Sequence, residues 1–177
     1  MLNTLITSRT RIKLLIKFFL NNSTRSYLRD LEGEFGESTN AIRVELNRFE
    51  KAGLLHSEAL GNKKIYRANT GHPLYSDIHS ILLKYTGIDQ VIAHVVDKLG
   101  GLQQAWLIGD FAKGNDSANL EFMLVGENVD VEYLDNLVGK AEKIISKGIH
   151  CRIVEGINIQ NITKENKEAL LLWEVSN

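Results

Sequence analysis

Apolar residues Ile12, Leu15, Ile16 and Phe19 recur at i, i+3, i+4 and i+7 behind Ser8, and this spacing predicts a helix capped by Ser8 and stopped at Asn21 and Asn22. A second short helix is expected from Ser26, with Leu28, Leu31 and Phe35 on one face and an end at Gly36, where a left-handed residue is tolerated. After a short turn, Ser38 or Thr39 caps a third helix. Its Ile42, Leu46 and Phe49 fall on one face, while Asn40, Arg43 and Asn47 share another, polar one. Beyond Lys51-Ala52-Gly53 the pattern turns extended. Leu54 to Leu60 and Lys63 to Ala68 flank Gly61-Asn62, which reads as a β-hairpin with Lys63 and Lys64 at its tip and Arg67 beyond.

Helical spacing returns after Pro73, with Leu74, Ile78, Ile81, Leu82 and Tyr85. Gly87 breaks it, and a further amphipathic segment from Ile88 carries Val91, Ile92, Val95 and Leu99 to a stop at Gly100-Gly101. Such a stripe needs a partner surface, either the body of a second domain or the same helix of another copy. The remainder alternates. Gln104 to Ile108 reads as a buried strand, Gly109 to Gly114 as a tight loop and Leu120 to Val125 as a second strand. Val131 to Ile145 is a helix with Leu134, Leu137, Val138, Ala141 and Ile145 along one side, Ile149 to Val154 a third strand, and Lys164 to Trp173 a closing helix.

The chain has 177 residues, 44% apolar and 24% charged, enough to bury a core in one domain or two small ones. The apolar stretch Leu14 to Leu20 is interrupted by Lys17 and far short of a membrane span, so a cytoplasmic protein with no membrane contact is expected. The lone Cys151 has no disulfide partner and no metal-ligand spacing, and reads as a small strand residue. A net charge of −1 conceals an asymmetry: residues 1–72 carry 12 Lys+Arg against 7 Asp+Glu, a balance of +5, whereas the rest is −6. The basic part is therefore the one expected to meet a polyanion. His72, His79 and His94 give no metal site, because no cysteine or acid cluster converges with them. Trp106, Phe122 and Trp173 read as packing residues, since no basic residues interleave with them as a base-stacking platform would need.

Three helices and a basic hairpin form a coherent DNA reader: a helix fits the major groove, where Arg pairs with guanine and Asn with adenine, and hairpin lysines neutralise flanking phosphates. The run Glu37-Ser-Thr-Asn-Ala-Ile-Arg-Val-Glu-Leu-Asn-Arg-Phe-Glu-Lys-Ala-Gly-Leu-Leu55 resembles the recognition helix and wing approach of winged helix-turn-helix transcription regulators of the ArsR/MarR type. By position, the resemblance implies that Ser38, Thr39, Asn40, Arg43, Val44 and Asn47 meet the groove, Arg48 lies nearer the backbone, and Lys63, Lys64 and Arg67 supply wing contacts. Winged helices also serve as protein-interaction modules, and that reading stands beside this one.

Gly109-Asp-Phe-Ala-Lys-Gly114, followed by Glu121 in an apolar strand, resembles a minimal nucleotidyltransferase domain. In that family a Gly-Ser turn holds triphosphate and two acids on the next strand bind the metals of phosphoryl transfer. Here Asp110 stands where the family has serine, Asn119 and Glu121 occupy the two acid positions, and the third strand offers Arg152 in place of an acid. The departures lead to the expectation of no catalysis, no cofactor and no metal. Lys113 and Gly114, with Gly109, Asp110, Asn119 and Glu121, then either line a small-molecule or nucleotide pocket or form a surface turn, with Glu121 as a solvent-facing strand residue.

The order of segments resembles a prokaryotic group of regulators fused to this fold. The expected architecture is α+β: a winged helix-turn-helix DNA-binding domain over residues 1–72, a helical connector over 73–101, and a small nucleotidyltransferase-like α/β domain over 102–177. The function this implies is sequence-specific, homodimeric regulation of transcription on double-stranded DNA, the second domain serving for sensing or interaction. The alternative is a metal-dependent nucleotidyltransferase with a DNA- or protein-binding winged helix.

Overall fold

The computed structural model describes residues 2–155 and 168–175. They fall into two compact units, one built from the chain up to Tyr85 together with Gly114–Asp116, the other from Thr86–Lys113 and from Ser117 onward. No helix among the described residues is long and apolar enough to cross a membrane.

In the first unit a short turn of helix, α1 (Leu2–Leu5), precedes α2 (Arg9–Leu15). Ser8 caps α2 by accepting the Arg11 amide hydrogen at 3.2 Å, as its position before the apolar stripe requires. The helix runs on as a π-helical turn over Ile16–Leu20 and ends at Asn21. Not only the expected stripe is inside. Leu14, Phe18 and Leu20 are as fully buried as Ile16 and Phe19, so this element is the centre of the core. Lys17, the one charged residue in the run, is buried and pairs with Glu34 at 2.7 Å.

The sequence pattern misses one element here. Ser26 does not start a helix; it is the buried middle of a three-residue strand, β1 (Arg25–Tyr27), and α3 (Leu28–Phe35) begins two residues later. Gly36 ends α3 at φ 62°, a conformation that L side chains rarely adopt. Lys13 satisfies the last carbonyl of α3, donating to Phe35 O at 2.7 Å and to Glu37 at 3.2 Å. Next comes α4 (Thr39–Lys51), capped by Ser38, whose Oγ accepts from the Ala41 amide at 3.2 Å. Replacing Ser38 by alanine is expected to cost about 1 kcal/mol of stability, read from denaturant unfolding.

Ile42, Leu46 and Phe49 are buried as their spacing demands, and so is Glu45. Two strands follow, β2 (Leu55–Leu60) and β3 (Lys63–Ala68), joined by Gly61-Asn62 with Leu60 opposite Lys63. β1 pairs with the free side of β3, giving a three-stranded antiparallel sheet in the order β1-β3-β2. Alternation along β3 puts Tyr66 and Ala68 inside and leaves Lys63 and Arg67 outside. The unit closes with α5 (Tyr75–Thr86), on which Leu82 is buried and Ile81 is half exposed.

The second unit opens with α6 (Ile88–His94) and a 3-10 turn, burying Ile88, Val91, Val95 and Leu99. Its sheet contains β4 (Leu102–Ile108), β5 (Asn119–Gly126), β6 (Gly148–Val154) and β7 (Leu170–Glu174), in the order β6-β5-β4-β7. β4 lies antiparallel to both neighbours, and β5 and β6 are parallel, joined across α8 (Val131–Ile145). Leu134, Leu137 and Ala141 are buried on α8.

Two expectations change in this unit. Gly109–Ala112 is not an open loop but one helical turn, α7. The closing helix is also corrected: residues 164–167 lie outside the described residues, and Leu170–Glu174 is a strand whose Trp173 pairs with Ala105. An apolar run of this length fits a buried strand as well as a helix, and the open edge of β4 decides between them. Trp106 is packed with Met123 and Val125, and Phe122 is buried, so both serve the core.

Candidate nucleic-acid interface and a second cleft

Asn40, Arg43, Val44, Asn47 and Arg48 project from α4 into solvent because Ile42, Leu46 and Phe49 take the opposite side of the helix into the core. Ser38 sits at the helix cap, with its hydroxyl engaged there, and Thr39 beside it is half-buried. Across from α4 stands the β2–β3 hairpin. Between the two runs a cleft of about 650 Å³, whose polar lining includes Arg43 and Asn47 from the helix, Asn62, Lys63 and Lys64 from the hairpin tip, and Arg29 from α3. Asp30 is its one acid. Tyr27 and Tyr66 also line it, and Lys63 Nζ lies 4.7 Å from the centre of the Tyr27 ring, which holds the flexible lysine over the cleft.

The hairpin cations are not equivalent. Lys64 donates to Glu50 at 2.7 Å, at the far end of α4, and each partner stabilises the other's charge: the Lys64 ammonium is raised above its ordinary range and the Glu50 carboxyl lowered below its own. Ser57 adds a second hydrogen bond to Glu50. Lys64 therefore ties the hairpin to the helix, and among the described residues Lys63 forms no ion pair with an acid. Arg67 lies farther along β3, opposite His56 and Arg25, and does not line the cleft.

What fixes the angle of α4 is Glu45, which points away from the exposed face. Arg11 donates to it at 2.8 and 3.1 Å, Arg48 at 2.9 Å and Ser8 at 3.4 Å. Burial pushes the Glu45 carboxyl up, but the hydrogen bonds and charges of Arg11 and Arg48 outweigh it and hold the group below the usual range. Arg48 thus has a structural task that its sequence position does not reveal. Tyr27, Leu28, Arg29, Asp30, Asn62 and Tyr66 are the cleft residues that sequence reasoning missed; the β1–β3 pairing brings Tyr27 and the start of α3 there, and no local spacing announces it.

A second cleft, of about 380 Å³, lies in the second unit, at the end of β4 and the starts of β5 and β6. Of the six residues expected there, Gly109, Lys113 and Glu121 line it, joined by His150 and Arg152. Asp110, Gly114 and Asn119 do not. Asp110 is exposed on α7, Asn119 leans over Gly148, and Gly114 groups with the first unit, against Lys17. Glu121 is half-buried beside Gly109 and is not the solvent-facing strand residue expected.

Gly109 has φ 69°, and any Cβ there would overlap the Glu121 carboxylate. The carboxylate is the movable end of a side chain, so Gly109→Ala is expected to cost about 1–2 kcal/mol from the backbone alone while swinging Glu121 aside, measured by thermal unfolding. Cys151 borders the cleft from the buried side of β6. Burial, with Asp135 and Glu142 nearby, pushes its thiol up to about 12, so it is no nucleophile.

Among the described residues no three His, Cys, Asp or Glu side chains converge to hold a metal ion. Each of His72, His79 and His94 has its Nδ1 engaged by backbone: His72 accepts from the Leu74 amide at 3.1 Å, His79 meets Phe19 O at 2.7 Å and His94 meets Gln90 O at 3.0 Å. The cleft of the second unit supplies one carboxylate, where a two-metal centre needs several, and its donor set does not fit such a centre.

No family model matches the chain, and no curated protein matches it. Solved structures do. The chain is 19% identical to the protein AF1382 from Archaeoglobus fulgidus, with a TM-score of 0.38 over 46% of this chain and 93% of that one. It is 14% identical to a structure from Sulfolobus solfataricus described as a "putative nucleotidyltransferase", with a TM-score of 0.36 over 56% of this chain and 87% of that one. Neither likeness bears on DNA binding. The second corrects the expectation, drawn from the altered acids, that the chain is not an enzyme: a structure it partly resembles is described as one, and that exclusion is withdrawn. The chain is a mixed α and β protein with partial similarity to a nucleotidyltransferase-like structure.

Proposed function

We propose that the chain is a sequence-specific DNA-binding regulator of transcription, with a winged helix-turn-helix in its first unit and a nucleotidyltransferase-like second domain that senses a ligand or contacts a partner. The observation that carries this reading is the cleft between α4 and the hairpin, where Arg29, Arg43, Lys63 and Lys64 gather against a single acid. The charge there complements a phosphate backbone, and the exposed Arg43 and Asn47 have the geometry classes that read guanine and adenine edges. The basic balance of residues 1–72 supports the same partner.

A homodimer completes the reading. Leu74 and Ile81 leave apolar surface at 54% and 50% exposure on and beside α5, an arrangement that suits self-association. A two-fold pair would place two α4 helices on half-sites one DNA turn, about 34 Å, apart.

The test is the salt dependence of binding to duplex DNA, followed by fluorescence anisotropy. Wild-type affinity should fall steeply with salt, and Lys63→Ala should lower affinity alike on all sequences and reduce the slope by about one. Lys64→Ala should change the slope less, because Glu50 already neutralises that charge. Affinity that ignores salt would remove the phosphate contacts from the account.

A further inference from the structure

The second cleft is where the resemblance noted above would place a metal-held triphosphate, and its side chains have a different character. Lys113 reaches it from the end of α7, and His150 and Arg152 enter it from alternate positions of β6, opposite Glu121 and Met123 of β5. Glu121 is the single acid in the lining. Two permanent cations and an imidazole thus face one carboxylate, in a concavity at the small end of ligand-binding pockets. Gly109 forms part of its wall, and the Glu121 carboxylate lies over the space that a side chain there would fill.

We propose that this cleft binds a phosphate group directly, on Lys113, His150 and Arg152, with no bridging metal ion. The chemistry is charge replacement. In a two-metal site the protein contributes carboxylates and the ions contribute the positive charge that meets phosphate oxygens. Here the protein contributes the positive charge itself, and Arg152 presents the planar fork that matches phosphate oxygens. Glu121 then repels the bound anion and does not recruit an ion for it. The sign of its effect therefore separates the two arrangements. The cleft's volume suits one phosphate monoester, free or attached to a small sugar or nucleoside, and not a polymer.

The experiment is isothermal titration calorimetry of the full chain with inorganic phosphate, ribose 5-phosphate and adenosine 5′-monophosphate, each in EDTA and in magnesium chloride. At least one should bind in EDTA, with no gain from magnesium, and the ranking of the three identifies the source of the phosphate. Glu121→Gln should tighten phosphate binding about fivefold, the effect of removing one nearby like charge at water-like screening. Arg152→Gln, at an exposed position whose guanidinium also donates to Met123 Sδ at 3.4 Å, should weaken it by about fivefold or more. Absence of binding by all three compounds would overturn the proposal. So would binding that requires magnesium, a Glu121→Gln variant that loses binding, or phosphate binding indifferent to Arg152→Gln, which would place the anion elsewhere, such as the cleft beside α4.

Discussion

Arg43→Ala should weaken binding to the preferred duplex by about 5- to 150-fold, equivalent to ~1–3 kcal/mol, while changing affinity for unrelated duplexes much less. Arg43 is exposed on the outer side of α4, makes no ion pair with Glu45 or Glu50, and stands in the cleft opposite the hairpin tip. On the proposed reading, a guanidinium so placed would donate two parallel hydrogen bonds to a guanine edge, and its loss would leave the base acceptors without them. Specificity should therefore relax at one base position per half-site. Parallel titrations of a specific and a scrambled duplex check this. An equal loss on both would reduce Arg43 to a phosphate contact, and no loss on either would exclude it from the interface.

Glu45→Ala should destabilise the first unit by about 2–3 kcal/mol, below the ~3–5 expected for a fully buried pair because Arg11 and Arg48 are 34% and 61% exposed and screened by solvent. The substitution leaves two guanidinium groups without their acceptor and releases the tie between the start of α2 and the middle of α4. Glu45→Gln keeps the volume and one acceptor, and should cost less. The pH dependence has a definite sign. The folded-state carboxyl lies below its unfolded value, so its contribution is full above the ordinary glutamate range, near 4.3, and is lost as pH falls through the folded value. Denaturant unfolding at neutral pH and near pH 3 should show the wild type losing more stability than Glu45→Gln across that interval. An identical loss in both would mean that Glu45 is not the titrating group.

How far the fold is legible in the sequence depends on how local each signal is. Ser38 and Gly36 mark their helix ends because a cap and a left-handed residue act within one turn, and Gly61-Asn62 marks the hairpin for the same reason. β1 is only three residues long, too short to show a period, and it exists because β3 has an edge to pair. Leu170 to Trp173 carries no periodicity that separates strand from helix, and β4 supplies the partner that decides. The candidate interface divides along the same line. Arg43 and Asn47 are readable from the helical wheel, whereas Tyr27 and Arg29 join them through tertiary pairing alone. Glu45, in a sequence rich in charge, gives no sign that it is buried; its partners Ser8 and Arg11 lie 37 and 34 residues away. In the second unit, matching positions to a resembling family named Gly109, Lys113 and Glu121, which line one cleft, but it did not bring in His150, which the parallel pairing of β5 and β6 sets opposite Glu121.

The central claim is that α4 and the hairpin read DNA sequence, and selection from a pool of random duplexes tests it most directly. Purified protein is mixed with the pool at two salt concentrations and the retained duplexes are sequenced. A sequence-reading α4 should enrich a two-fold symmetric motif with half-sites about one helical turn apart, retained at the higher salt while background binding falls away. A retained pool as random as the input at both salts would contradict it.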